Sequence, residues 1–467
     1  MYTKEFYQKN FKKNIDRLNL KKKDPWDLNY HISPNTGWLN DPNGLCQFNG
    51  TYHIYFQNDP LDCNKKNIIW GHVSTNDFIN YTYEQPFIFA DCDLDKDGAY
   101  SGSAFIKDDK INFFYTGNVK HPGDYDYINV GREHNTIKII SKDGYTFDKK
   151  ELLLSNEDYP SDLTKHVRDP KIHEENGIYY MFLGARSKED KGKVLIFKSE
   201  DLINFNYHME ILTDYDFGYM WECPDFIELD SDKFLICCPQ GVESQEYKYQ
   251  NVYKSGYFPI DINFEKKTYK LGEFVELDYG FDFYAPQTFE DENHRKILIG
   301  WMGMPDAEYT NPTVKNHWQQ CLTIPRTLKS IGGKIIQQPI KELNELRDGK
   351  ILYKNNQLIK EDSYEFESEV SANKFYIGLR KDVSLEYEGG ILRLTLKNSG
   401  YGRNERKVAI DRIYNIRILS DTSAIEIFIN DGKYLLSTRV YSKEKFFKAS
   451  IDGHIYKINK INWNEKS

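Results

Sequence analysis

The sequence has no long apolar run, and this lack excludes a membrane-spanning helix. A span needs roughly 20 consecutive apolar residues, and no segment of the 467 residues approaches that length. The N-terminal stretch from Met1 to Lys23 is polar and charged and has no apolar core of the kind that secretory signals carry. We therefore expect a protein without a membrane partner that works in the cytoplasm.

The sequence also has few cysteines and no excess of basic residues. The 7 cysteines are odd in number and scattered along the chain, whereas disulfide frameworks and zinc sites need paired or closely spaced cysteines. Asp and Glu number 71 against 62 Lys and Arg, for a net charge of −9. Nucleic-acid binding normally requires a basic surface. We expect no disulfide, metal or nucleic-acid partner, and the sequence does not determine the oligomeric state.

Aromatic residues are abundant, and they recur in strands spaced by roughly 60 residues. Aromatic and β-branched residues favour strands, and five such apolar strands end at a small or polar residue: Gln57, Gly117, Gly184, Gly241 and Gly300. Each unit is long enough for four short strands, so the repeat predicts a five-bladed β-propeller. Two stacked sandwiches are the alternative, but they give no reason for five evenly spaced copies.

The pattern changes after about residue 330. Residues 339–346 predict a short helical linker, and the strands beyond it alternate apolar and polar residues. Asn430-Asp431-Gly432 is a hairpin turn signal. The prediction is an all-β protein with a propeller over residues 1–338, a linker over 339–349 and an antiparallel β-sandwich over 350–467. A leading helix is indicated by apolar residues at helical spacing, namely Tyr7, Phe11, Ile15 and Leu18.

Polar and acidic residues occur at nearly the same phase of the repeat, 15 to 19 residues before each strand end. They are Asp41, Ser101, Asp169, Glu222 and Tyr284, with Asp282 two residues earlier. Because the first strands of all blades surround the central channel, these groups should converge at one mouth of it. A single Asp-Pro turn or buried ion pair is common without catalysis, but three carboxylates in phase on different blades favour an active site.

The local settings of the three carboxylates differ. Arg168 precedes Asp169 and should keep it ionised, whereas Trp221 and Cys223 around Glu222 should raise its pKa. One ionised and one protonated carboxyl is the arrangement that glycoside hydrolysis needs. Cys223 is a weaker alternative nucleophile, because the motif places no histidine to activate it.

Several motifs occur in an order that resembles glycoside hydrolase family thirty-two, which includes invertases, fructanases and sucrose-6-phosphate hydrolases. The motifs are Trp38–Gly44, Ser101-Gly102-Ser103, Arg168-Asp169-Pro170, Glu222-Cys223 and Asp282–Thr288. The resemblance covers nearly the whole chain. It implies a five-bladed propeller followed by a β-sandwich, a small sugar as substrate, and no metal or organic cofactor.

By motif match, the resemblance implies Asp41 as nucleophile, Asp169 as transition-state stabiliser and Glu222 as general acid/base of a retaining β-fructofuranosidase. It also implies substrate contacts from Trp38, Leu39, Asn40, Gln57, Tyr100, Ser101, Arg168, Asp282 and Trp301. Two alternatives stay open: a fructanase or invertase for unphosphorylated sugars, and a catalytically silent sugar-binding protein on the same scaffold.

The segments 166–171, 218–224 and 299–303 are similar to the bacterial cytoplasmic branch, which includes sucrose-6-phosphate hydrolases. At one position the chain departs from the family pattern: Lys65, followed by Lys66, stands where many members have tryptophan. A phosphate dianion needs cationic or N–H donors. Either these two lysines or Lys165 with His166 are candidates, unless all four are solvated loop charges.

Overall fold

The computed structural model describes residues 1–464, without the side chains of residues 11–15. One α-helix, α1 (Lys4–Lys21), precedes a series of sheets, and Thr3 caps it by accepting a hydrogen bond from the Phe6 N–H. The predicted leading helix is present, although Phe11 and Ile15 lie outside the described side chains. No helix in the described part of the chain is long and apolar enough to cross a membrane.

Each of the five repeat units forms one sheet of antiparallel strands. We call these sheets blades one to five. Their middle strands are apolar and almost wholly buried, as expected of strands packed between neighbouring blades. Blade one contains β1 (Gly37–Phe48), β2 (Thr51–Asp59), β3 (Ile69–Thr75) and β4 (Asn80–Tyr83). Blade two contains β5 (Ala99–Lys107), β6 (Lys110–Lys120), β7 (Arg132–Ser141) and β8 (Glu151–Leu154). Blade three contains β9 (Leu163–Glu175), β10 (Ile178–Ser187), β11 (Gly192–Ser199) and β12 (Asn206–Ile211).

Blades four and five complete the ring. Blade four contains β13 (Met220–Leu229), β14 (Asp232–Gln240), β15 (Gly256–Asn263), β16 (Thr268–Leu271) and β17 (Val275–Glu276). Blade five contains β18 (Tyr284–Glu290) and β19 (Lys296–Trp301), and, after β20 (Trp318–Gln319), also β21 (Arg326–Ile331) and β22 (Lys334–Pro339). The first strands β1, β5, β9, β13 and β18 contact one another in succession, and β18 contacts β1. The predicted five-bladed propeller is confirmed.

Each first strand is interrupted at the same level by an irregularity in its pairing with the second strand. The residues at these interruptions are Asp41-Pro42, Ser101-Gly102, Asp169-Pro170, Cys223-Pro224 and Ala285-Pro286. Proline has no N–H to donate to the ladder, so it is compatible with such a bulge. A bulge bends the strand and redirects a side chain, and here it does so at the same level in five blades.

A β-sandwich follows the propeller, as predicted. The linker is a 3-10 helix, Lys341–Leu346, and shorter ones lie at Pro312–Asn316 and Lys397–Gly400. One sheet contains β23 (Arg347–Tyr353), β24 (Tyr364–Glu369), β29 (Asn415–Ser420), β30 (Ala424–Ile429), β31 (Tyr434–Arg439) and β33 (Gly453–Ile458). The other contains β25 (Phe375–Arg380), β26 (Val383–Glu388), β27 (Ile391–Thr395), β28 (Glu405–Ala409) and β32 (Lys448–Ala449). The last strand, β34 (Asn462–Asn464), returns to pair with β4 in blade one. The domain limits given above remain predictions.

Buried ion pairs join the sandwich to blade five. The Arg326 guanidinium on β21 donates to Glu426 Oε2 on β30 at 2.5 Å, to Ser437 Oγ at 2.7 Å and to Gln337 Oε1 at 3.0 Å. Arg326, Glu426 and the nearby Asp278 have side chains with no exposed area. Such a network is stable only when each charge keeps its partner.

Replacing Arg326 with Met should therefore lower the free energy of unfolding by about 3–5 kcal/mol, because the buried carboxylates of Glu426 and Asp278 lose the guanidinium beside them. Urea unfolding monitored by tryptophan fluorescence measures this change. Lys381→Met is the matched control, since it removes a cation whose pair with Glu444 is exposed on both sides. The control should change stability little, and an equal loss in both variants would contradict the role of the buried network.

Candidate active site

The five interrupted strands bring polar side chains together around one mouth of the propeller channel. Asp41 lies on β1, Ser101 on β5, Asp169 on β9, Glu222 on β13 and Tyr284 on β18. A hydrogen bond joins Asp41 to Ser101 between blades one and two, and another joins Glu222 to Tyr284 between blades four and five. The phase argument from the sequence thus corresponds to a real cluster, in which five separate blades each contribute one side chain.

Asp41 is held by two donors, one on each carboxylate oxygen. Asn40 Nδ2 lies 2.9 Å from Oδ1, and Ser101 Oγ lies 2.6 Å from Oδ2. Gln57 joins the two donors: its Oε1 accepts from Asn40 at 2.8 Å, and its Nε2 donates to Ser101 at 2.6 Å. Trp38 Nε1 donates to Asn40 Oδ1 at 2.7 Å. This network fixes the orientation of Asp41 without placing a positive charge on it.

Glu222 is bound by polar groups from three other strands. Arg168 donates to its Oε1 from Nη2 at 2.5 Å and from Nε at 3.1 Å. Its Oε2 accepts from the Tyr284 hydroxyl at 2.6 Å and from Gln240 Nε2 at 2.7 Å. The side chain is still 16% exposed, so that a substrate can reach it.

The expected rise in the pKa of Glu222 is wrong for the free protein. Burial does raise the pKa of this carboxyl, but the Arg168 guanidinium and the Tyr284 hydroxyl outweigh burial and lower it below the ordinary value. Trp221 does not provide the apolar surrounding that the sequence suggested, because its indole N–H bonds the Phe217 carbonyl in the core. Neighbouring residues on a strand face opposite sides, so the sequence neighbours of Glu222 are not its spatial neighbours.

The expectation that Arg168 keeps Asp169 ionised is also wrong. The guanidinium lies 3.9 Å from Asp169 Oδ2 but 2.5 Å from Glu222 Oε1. Burial raises the pKa of Asp169 to about 7, since the opposing effect of Arg168 is partly cancelled by the neighbouring Glu222 carboxylate. The Cys223 N–H, at 2.9 Å, is a donor to Asp169. Near neutral pH the carboxylate cluster can therefore hold one proton, and burial favours Asp169 as the group that holds it in the free protein.

Asp282 lies away from this cluster, and its predicted sugar contact is corrected. The carboxylate is fully buried and faces the β-sandwich. Oδ2 is bound by the Arg403 guanidinium and by the Arg439 N–H at 2.8 Å, and Oδ1 accepts from the Tyr309 hydroxyl at 2.6 Å. Both oxygens are thus occupied by protein donors, and the role of Asp282 is to join blade five to the sandwich.

The other predicted contacts surround the cluster at different depths. Leu39 and Trp301 are buried, and Trp301 packs edge-on against Trp38 with 5.8 Å between ring centres. Tyr100 is half-buried, and its ring lies 5.9 Å from that of His134. Leu39 and Trp301 belong to the hydrophobic core beneath the cluster, and the sugar contacts of these residues stay predictions.

Gln240 was not singled out from the sequence, although it contacts Glu222 directly. A signal for it existed: Gln240 ends the second strand of blade four, as Gln57 lies near the end of the second strand of blade one. The second strand runs beside the bulge of the first, so its terminal residues face the same channel mouth. Thr116, which accepts from the Asp169 N–H at 2.9 Å, occupies the corresponding place in blade two.

The two lysines that replace the usual tryptophan differ in their surroundings. Lys66 Nζ pairs with Asp62 at 2.7 Å on the surface. Lys65 is exposed, and its charge is close enough to help lower the pKa of Glu222. Of the second candidate pair, His166 contacts Arg168, with 2.7 Å between Nδ1 and Nη1, and Lys165 is half-buried. His166 is thus the candidate tied most directly to the cluster.

Comparison with known families gives a match over almost the whole chain. The model of the glycosyl hydrolases family 32 N-terminal domain matches residues 31–339, and the model of the family 32 C-terminal domain matches residues 345–460. These two matches correspond to the propeller and the sandwich.

Individual relatives agree with the family models. The sucrose-6-phosphate hydrolase of Bacillus subtilis is 38% identical over 90% of this chain and 89% of its own length. The raffinose invertase of Escherichia coli is 32% identical over 91% of this chain and 92% of its own length. Among solved structures, a sucrose-6-phosphate hydrolase from Lactobacillus gasseri superposes with a TM-score of 0.87 at 28% identity, covering 96% of each chain. A Bombyx mori β-fructofuranosidase in complex with sucrose gives 0.86 at 25% identity over 100% of each chain.

Proposed function

The chain belongs to glycosyl hydrolase family 32, and on that premise we propose that it is a retaining β-fructofuranosidase that releases fructose from sucrose 6-phosphate or sucrose. Family membership makes it a glycoside hydrolase with a sugar substrate. The observation that supports the finer proposal is the pairing of two carboxylates on different blades. Asp41 is bound by neutral donors only, whereas Glu222 sits in a cluster that retains a proton near neutral pH.

The proposed reaction has two displacements. Asp41 attacks C2 of the fructosyl unit while Glu222 gives a proton to the departing glycosidic oxygen. Glu222 then takes a proton from water, and the hydroxide so formed releases fructose from Asp41. This mechanism requires the two carboxyl groups to lie about 5–5.5 Å apart.

The proton must move from Asp169 to Glu222 before the first step. Fructosyl hydroxyls that donate to Asp169 would favour its ionised form, because hydrogen bonds to a carboxylate lower its pKa. The departing oxygen next to Glu222 favours the protonated form there. We therefore propose that substrate binding transfers the proton within the cluster, and that ionised Asp169 then stabilises the positive charge of the transition state through the fructosyl hydroxyls.

The pH dependence of kcat/KM follows from this proton. The pKa of Asp169 is raised to about 7, so the cluster holds its proton below pH 7 and loses it as the pH rises through about 7. The reaction needs one proton in the carboxylate cluster, and it does not matter which carboxyl group holds it before substrate binds. kcat/KM should therefore fall on the alkaline side near that pH.

Stopped assays of initial rates between pH 4 and pH 9, about a unit apart, measure this profile. In Glu222→Gln the alkaline limb should disappear, since no proton remains to be transferred from that residue. A profile that is flat from acid to alkaline pH in the unmodified protein would contradict the proton-sharing cluster.

Substrate preference is tested by kinetics on sucrose, sucrose 6-phosphate and inulin under identical conditions. The high identity to sucrose-6-phosphate hydrolases supports the phosphorylated substrate, whereas the raffinose invertase among the relatives keeps the free sugar open. Release of reducing sugar from any of the three excludes the silent sugar-binding alternative. No release from all three would reject the proposed activity.

A further inference from the structure

Arg132, on β7 beside the active site, is a half-buried cation without a carboxylate partner among residues 1–464. No ion pair involves it, and its buried Nε has no hydrogen-bond acceptor in the described structure. The polar side-chain atom it approaches is His166 Nε2, 3.5 Å from Nη1. A guanidinium nitrogen that is buried away from water normally requires an acceptor, and Arg132 Nε has none in the described structure.

His166 does not relieve this deficit, because it presents a donor to Arg132. Its Nδ1 lies 2.7 Å from Arg168 Nη1, and since arginine can only donate, Nδ1 must accept. The hydrogen-bond partners therefore assign the neutral tautomer with its proton on Nε2. That N–H faces Arg132, which also only donates. The His166 ring also has a main-chain partner at Tyr127, so Arg132 Nε is the donor of this pair that is left without an acceptor.

The position of these groups relative to the acid/base indicates which part of a substrate would reach them. Contacts run from Glu222 through Arg168 to His166 and on to Arg132. In the proposed reaction the fructosyl unit lies beside Asp41 and Asp169, whereas the leaving sugar lies next to Glu222, which protonates it. An anionic group on the leaving sugar, several bonds from the glycosidic oxygen, can therefore extend toward Arg132.

We propose that Arg132 and the His166 Nε2–H bind the phosphate of a substrate phosphorylated on the leaving sugar. This inference rests on the proposed β-fructofuranosidase activity. A planar guanidinium can bind two phosphate oxygens at once, which gives geometric selectivity that a lysine lacks. Among the lysines considered, Lys66 is already paired with Asp62, whereas Arg132 has no competing carboxylate.

Arg186 offers a matched control on the neighbouring blade. It is also a half-buried arginine close to His166, but its guanidinium is bound to Asp190 at 2.6 Å and stacks on the Tyr219 ring. Arg132→Gln and Arg186→Gln therefore remove the same charge from the same region, and only the first removes an unpaired donor.

The test compares the ratio of kcat/KM on sucrose 6-phosphate to kcat/KM on sucrose in the two variants. In Arg132→Gln the ratio should fall by roughly tenfold to a hundredfold, as expected when a charge-assisted phosphate contact is lost. In Arg186→Gln the ratio should fall much less. In Arg132→Lys the ratio should lie between the values of Arg132→Gln and the unmodified protein. An unchanged ratio in Arg132→Gln, or an equal fall in both arginine variants, would overturn the assignment.

A second measurement does not depend on turnover or on the proposed activity. Glucose 6-phosphate and glucose are titrated into the protein by calorimetry, with the Arg132→Lys variant available if Arg132→Gln does not fold. Stronger binding of glucose 6-phosphate that is lost in the Arg132 variants supports the phosphate site, even if no fructoside is cleaved. Equal binding of both sugars by the unmodified protein rejects the site, even if sucrose is hydrolysed.

Discussion

Asp41→Asn is expected to abolish turnover while the fold stays intact. The amide has nearly the same shape as the carboxylate, and Asn40 and Ser101 can still surround it. The variant lacks the nucleophile that forms the covalent intermediate, so the double displacement has no first step. We expect kcat to fall by roughly ten thousandfold or more, the scale seen when members of a catalytic unit are removed.

Steady-state assays and a thermal melt measure the two parts of this expectation. The melting temperature should not fall, because Asp41 adds to the repulsion that raises the pKa of Asp169, and its replacement relieves that repulsion. Asp62→Asn is the control, since it removes a carboxylate of the same region that pairs with Lys66 on the surface. Retention of a tenth of the original kcat in Asp41→Asn would reject the nucleophile assignment.

Glu222→Gln should lose most activity on sucrose, by roughly a hundredfold to ten thousandfold, but much less on a fructoside with a good leaving group. Such a leaving group departs without a proton, so the first displacement no longer needs the acid. The second displacement still lacks a base to activate water. Azide needs no deprotonation and should accelerate that step, with fructosyl azide as the product.

The Asp169→Asn variant distinguishes the acid/base role of Glu222 from a non-specific loss of activity caused by changing any carboxylate of the cluster. Asp169 shares the cluster and the proximity of Arg168, but its proposed work is to stabilise charge on the fructosyl unit. Its replacement should slow both kinds of substrate by similar factors, and azide should not restore the rate. Equal losses on both substrates in Glu222→Gln, with no azide effect, would contradict the acid/base assignment.

The ring of the propeller and the level of the site follow from local features of the chain. The apolar strands recur at nearly even spacing, and a bulge residue with Pro or Gly after it recurs in phase with them, as at Asp41-Pro42 and Ser101-Gly102. Such features are local because pairing within a blade joins neighbouring strands. The sequence alone therefore determined the fold class and the bulge positions at the channel mouth.

Which charges meet at that mouth was decided only by the tertiary structure. Arg168 is covalently next to Asp169 but binds Glu222 on the next blade. Gln240 and Tyr284 donate hydrogen bonds to the same Glu222 carboxylate. These contacts reverse the pKa directions expected from sequence neighbours, since electrostatic energy depends on distances through space.

Asp282, at the edge of the propeller, is a second residue whose partners could not be predicted from its sequence neighbours. Its phase in the repeat places it near the channel mouth, but three residues before the bulge the chain is still packed on the sandwich, where Arg403 binds the carboxylate. No local pattern records that Arg403, more than a hundred residues later, lies there. The sequence alone determined where polar groups occur along each strand, whereas the packing of blades and domains decided their partners, because side chains on one strand alternate between faces and bond across to other strands.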